Sequence, residues 1–148
     1  MRTRILVVED NDFSREMLCD WLELQGYEVD SSPNLSGAIR AVERARPAVV
    51  LLDVQLGADD GLSLAAWLRK DEALLHIPVI AVTAHAMLTD RERILQSGCN
   101  ACISKPVDFD SLREQLNRWL RVAAVVEADS WSTRATLRSA IGLKEPGL

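Results

Sequence analysis

PAVVLLDVQLG, residues 47–57, sets five apolar residues, Ala48 to Leu52, directly before a carboxylate, Asp53. A short unbroken apolar run rich in β-branched residues reads as a strand covered on both faces. Burying a charge at its end is costly unless something pairs with it. Asp53 therefore either emerges into solvent at the strand's end or meets a partner there.

The flanking sequence repeats the same grammar. RILVV (Arg4–Val8) is a second apolar strand, and IPVIAVT (Ile77–Thr83) a third. YEVDSS is a shorter, half-polar strand, and ACISK a last one. Between them lie segments with helical spacing. Phe13, Met17, Trp21 and Leu24 recur at steps of four, four and three, a pattern that predicts one buried helical face closed by Gly26. Leu35, Ala38/Ile39, Val42 and Ala45 give the next helix, which Pro47 ends. Leu62, Ala65 and Leu68 mark a helix in GLSLAAWLRKDE, and residues 86–97 a further one closed by Gly98. The last helix carries Leu112, Leu116, Trp119 and Leu120 on one face. Five βα units in about 120 residues predict an α/β fold, a parallel sheet with helices on both faces. Right-handed crossovers place all strand C-termini on one edge, where ligands bind in sheets of this kind.

Composition narrows the function. The chain has 148 residues and a net charge of −5, with no Lys/Arg run longer than two, so a basic nucleic-acid footprint is absent. No apolar run approaches the roughly 18 residues of a membrane span. Met1 stands immediately before the first strand, which leaves no room for a signal peptide. Cys19, Cys99 and Cys102 lack a paired metal-binding pattern, although Cys99 and Cys102 form a CxxC. They are read as reduced thiols of a cytoplasmic protein.

Polar residues gather where the strands end. Glu9 and Asp10 follow the first strand, Asp53 ends the third, Thr83 the fourth, and Lys105, followed by Pro106, the fifth. Like charges about 4 Å apart repel by roughly 4 kcal/mol at an effective dielectric near 20, so clustered carboxylates call for a divalent cation. An oxygen-only donor set suits Mg²⁺ or Mn²⁺. Asp10 and Asp53 are the expected direct ligands, Glu9 a ligand through water, and the Gln55 backbone carbonyl a further donor. A carboxylate beside such a cation is fit to attack phosphorus, and Lys105 with the Thr83 hydroxyl can hold the phosphoryl oxygens.

ILVVEDND, VVLLDVQL, IPVIAVTAHAM and GCNACISKPVD together resemble the receiver domain of two-component response regulators, over about residues 3–121. In kind the chain looks like stand-alone receivers of the DivK type and receivers of hybrid histidine kinases. The resemblance implies a doubly wound, flavodoxin-like (βα)5 fold with strand order 2-1-3-4-5. It implies Asp53 as phosphoacceptor, Glu9 and Asp10 as the acidic metal pocket, Thr83 as switch hydroxyl, Lys105 as phosphoryl partner and a cis bond before Pro106. The domain, residues 1–121, then catalyses only its own phosphorylation and dephosphorylation and is not otherwise an enzyme. Its partners are a histidine kinase or histidine phosphotransfer protein, and a downstream protein met through residues 86–120, with neither nucleic acid nor membrane. A phosphorylation-dependent dimer stays open.

Two positions depart from the family pattern. Cys102 stands where an aromatic residue is common, read here as core packing, and Gly57 where proline is common, read as loosening the loop. Gln55 and His85 occupy positions that tune phosphate lifetime in receivers. Residues 122–148 form a tail too short for an output domain. Asp129 or Ser130 can cap a helix over Trp131–Ile141, and Trp131 offers a docking or dimer surface. A pseudo-receiver that binds without phosphorylation, or a receiver cut from a hybrid kinase, are the alternatives. A haloacid-dehalogenase-type phosphatase fits less well, because VVEDND lacks a DxD arrangement.

Overall fold

The computed structural model describes residues 2–122. The reading of the tail, with Asp129, Ser130 and Trp131, lies outside them. The chain runs β1 (Arg4–Val8), α1 (Asp12–Leu24), β2 (Glu28–Ser32), α2 (Leu35–Arg44), β3 (Val49–Asp53), α3 (Leu62–Arg69), β4 (Val79–Thr83), α4 (Leu88–Gln96), β5 (Ala101–Ser104) and α5 (residues 109–122). The five strands form one parallel sheet in the order β2-β1-β3-β4-β5. This is the expected order.

Pleating divides each central strand between two cores. Leu6, Val8, Val50, Leu52, Val79 and Ala81 face one side, against Ala38 and Val42 of α2, Leu64 and Leu68 of α3 and Ile94 of α4. Ile5, Val7, Val49, Leu51 and Ile80 face the other, against Leu18 and Leu22 of α1 and Leu112 and Leu116 of α5. All five residues of β3 and of β4 are buried, which is why they read as unbroken apolar runs.

The expected face of α1 is corrected. Phe13 is 74% exposed, Leu24 83% and Met17 40%, while Leu18 and Leu22 are the buried residues and Trp21 is half-buried. This helix carries apolar residues round most of its circumference, so two stripes compete at helical spacing. The crossover from β1 to β2 turns the 18/22 stripe onto the sheet. The helix is closed by Gly26 as its sequence indicates, with φ +94° there. Its N-terminus is capped by Asn11, which accepts from the Ser14 amide.

Two further boundaries differ. α3 stops at Arg69, short of the expected Glu72, and α4 spans Leu88–Gln96 rather than 86–97. His85 therefore lies in the connection between β4 and α4, exposed, and not at a helix start. After β3 the chain makes a two-rung antiparallel turn, Gln55–Leu56 against Asp59–Asp60. Gly57 sits in this turn with φ +59°. A proline, locked near φ −65°, cannot occupy that conformation, so the glycine answers a backbone requirement.

Candidate functional site

β1 and β3 are adjacent and parallel, so their C-terminal ends deliver Glu9, Asp10 and Asp53 to one place. One ligand oxygen from each lies within 4.8 Å of the others. Glu9 is 2% exposed and Asp53 6%, whereas Asp10 is exposed. Lys105, just past the end of β5, reaches across β4 to both buried carboxylates. Its Nζ donates to Glu9 Oε2 at 3.2 Å and to Asp53 Oδ2 at 3.3 Å. The remaining oxygens are also held. Asp53 Oδ1 accepts from the Gln55 amide at 3.1 Å, and Glu9 Oε1 from the Asn11 amide at 3.3 Å. Arg15 donates to the Glu9 carbonyl at 3.0 Å, tying α1 to the end of β1. The question raised by the apolar run into Asp53 thus has a first answer within the protein. Asp53 is buried, and its partner is Lys105.

The charges remain unequal, with three carboxylates against one ammonium. Burial, then the neighbouring Asp53, hold the Glu9 pKa above its usual 4.5, although Lys105 pulls the other way. Burial alone depresses Lys105, but Asp53 and Glu9 outweigh it and the net displacement is upward from 10.5. A buried acidic cluster with a raised carboxylate pKa, open to solvent on the Asp10 side, is chemically suited to a hard divalent cation. The cleft above it has a volume of about 850 Å³ and is lined by Asp10, Gln55, Gly57, Ala84, Arg93 and Lys105 among others.

Thr83 is placed at the same edge but turned aside. It is 2% exposed, its hydroxyl donates to the His85 carbonyl at 3.2 Å, and its Oγ1 accepts from the His85 amide at 3.0 Å. The Thr83 carbonyl accepts from the Lys105 amide at 2.8 Å, which fixes where the lysine leaves β5. The Lys105–Pro106 bond is cis, as expected. Gln55 reaches the site through its amide, and its side chain is exposed.

The cysteines are free and packed. Cys102 is half-buried against the α2–α4 side of the core, and burial pushes its thiol upward. Burial takes the Cys99 thiol to about 12, so both are protonated and poorly nucleophilic near neutrality.

Two contributors were not legible in sequence. Gly61 lies so close to the backbone of Asp53 and Val54 that a Cβ there meets their carbonyl oxygens. Arg91, on α4, hydrogen-bonds both the segment after Thr83 and β5. Neither forms a local motif with the strand-end residues, because each acts across elements.

The family model for the response regulator receiver domain matches residues 5–117. A polar-differentiation response regulator DivK from Brucella anthropi is 41% identical over 120 residues, covering 81% of this chain and 98% of that protein. Among solved structures, a CheY-like response regulator receiver domain protein from Methanospirillum hungatei JF-1 superposes with a TM-score of 0.76 at 27% identity, over 84% of this chain and 98% of the other. The receiver domain of a signal transduction histidine kinase from Syntrophus aciditrophicus gives a TM-score of 0.74 at 33% identity, over 80% and 90%.

Proposed function

This chain belongs to the response regulator receiver family of two-component signalling, and we propose that it signals by accepting a phosphoryl group on Asp53. The observation that carries this reading is Lys105 held on two buried carboxylates, one of which ends the central strand at a solvent-open acidic cluster.

Asp53 attacks the phosphorus of a phosphohistidine donor. A P–O bond forms, the P–N bond breaks, and the electron pair returns to the imidazole ring, which takes up a proton. The Gln55 amide fixes one Asp53 oxygen and so orients the carboxylate. Lys105 starts on Asp53 Oδ2, and the incoming phosphoryl oxygens compete for its ammonium, with Glu9 holding it at the site meanwhile. Thr83 supplies a further donor once its hydroxyl leaves His85. Glu9, Asp10 and Asp53 would hold Mg²⁺ or Mn²⁺, with the Gln55 carbonyl as an added donor, and the bound cation would neutralise charge on the phosphoryl oxygens. Attack by water on the phosphorus returns Asp53 and inorganic phosphate. Gln55, which lines the cleft, and His85, two residues beyond Thr83, tune its rate.

The DivK relatives are spanned almost whole by the matched residues, which supports a receiver, residues 1–121, whose output is protein contact. A histidine kinase or phosphotransfer protein is the donor. A downstream protein binds α4, β5 and α5, where Met87 (75%), Leu88 (73%) and Leu95 (48%) are exposed.

Intact mass after incubation with acetyl phosphate and Mg²⁺ tests the reading. One added phosphoryl group is expected on the wild type, and none on Asp53→Asn or in the presence of EDTA. A folded wild type that gains no mass and binds neither Mg²⁺ nor beryllofluoride overturns it in favour of binding without phosphorylation.

A further inference from the structure

A hydroxyl carries one proton, so Thr83 cannot donate to a phosphoryl oxygen while it donates to the His85 carbonyl. The segment that closes this turn is itself pinned. Arg91, in the first turn of α4, donates from Nε to the Ala86 carbonyl at 3.1 Å. Its Nη1 donates to the Cys102 carbonyl at 3.3 Å and its Nη2 to Ser104 Oγ at 3.2 Å. One planar guanidinium thereby ties helix α4, the connection after β4 and strand β5 together. The chain of contact runs from Thr83 through His85 and Ala86 to Arg91. From Arg91 it passes to the Cys102 carbonyl and the Ser104 hydroxyl of β5.

We propose that Arg91 is a positioning residue for Thr83. It holds residues 84–87 in the form in which the Thr83 hydroxyl is committed to His85, and its grip on Ala86 opposes the turn of that hydroxyl toward the phosphoryl group. The inference rests on the roles proposed above for Asp53 and Thr83. It assigns to a polar clamp, in this chain, the coupling between the site and α4.

The test is the rate of phosphorylation by acetyl phosphate with Mg²⁺, together with beryllofluoride affinity, in four proteins: wild type, Arg91→Ala, Thr83→Ala and the double variant. Loss of the clamp is expected to speed phosphorylation and tighten beryllofluoride binding by roughly two- to ten-fold, the worth of one net hydrogen bond. The gain is expected to vanish in the Thr83→Ala background, because the clamp acts through that hydroxyl. Arg91→Lys serves if the alanine variant fails to fold. An ammonium cannot serve three separated acceptors as a guanidinium fork does, so a smaller gain in the same direction is expected. Unchanged or slower phosphorylation in the folded variants, or a gain that persists without Thr83, overturns the inference while leaving the phosphoacceptor reading intact. A wild type that neither phosphorylates nor binds beryllofluoride removes both.

Discussion

A methyl group at residue 61 meets backbone, which has little room to move. The Val54 carbonyl oxygen lies 2.9 Å from where a Cβ at Gly61 stands, and the Asp53 carbonyl oxygen lies closer still. The Gly61 amide also donates to the Val54 carbonyl at 2.9 Å, so the close approach is stitched in place. Gly61→Ala is expected to cost roughly 1–3 kcal/mol, as over-packing does, and to slow phosphorylation by displacing Asp53. Urea unfolding and the acetyl phosphate assay measure the two effects; a variant as stable and as fast as wild type refutes the packing argument. Asp53 and Lys105 are legible in sequence because Asp53 ends a strand and Lys105 follows one, and each inherits the strand's position. Gly61 is not, because its constraint comes from backbone eight residues earlier in the chain, met only after the turn at Gly57 folds back. Gly57 is half-legible: as a departure from proline it reads as a loosened loop, and only its φ of +59° shows a required left-handed residue.

Among the elements, α1 separates periodicity from burial. Steps of three and four locate the helix correctly, and Asn11 and Gly26 mark its ends. They do not say which of two apolar stripes faces the sheet. With Leu22 fully buried and Phe13 74% exposed, Leu22→Ala is expected to destabilise by about 2–5 kcal/mol. Phe13→Ser is expected to stay within about 0.5 kcal/mol, as surface substitutions do. Denaturant midpoints decide the matter, and a large loss at Phe13 restores the face that the sequence suggests. The strands behave differently. β3 and β4 are covered on both sides, so no choice of face exists and their sequences alone specify them.

For the molecule as a whole, the acidic edge couples stability to cation and pH. Glu9 has a folded-state pKa above 4.5, so the cation-free fold is favoured below that value and loses this contribution as pH rises through the raised pKa. At neutral pH a divalent cation offsets the penalty. Mg²⁺ at a hundred times its dissociation constant is expected to stabilise the wild type by about 2.7 kcal/mol by mass action. The rise in melting temperature is expected to shrink as pH falls through the raised Glu9 pKa and to disappear in Asp10→Asn. In EDTA, Asp10→Asn is expected to be no less stable than wild type, since it relieves like-charge repulsion. A melting temperature indifferent to Mg²⁺ in the wild type counts against the cation site. By itself the sequence determined the alternation of elements, the parallel sheet and the polar set at its edge, because strand burial and helical spacing are local patterns. Tertiary structure alone decided which face of α1 is buried, that Lys105 spans Glu9 and Asp53, and that Arg91 clamps β5 to α4. Those are contacts between residues far apart in the chain, and no local pattern encodes a distance across a fold.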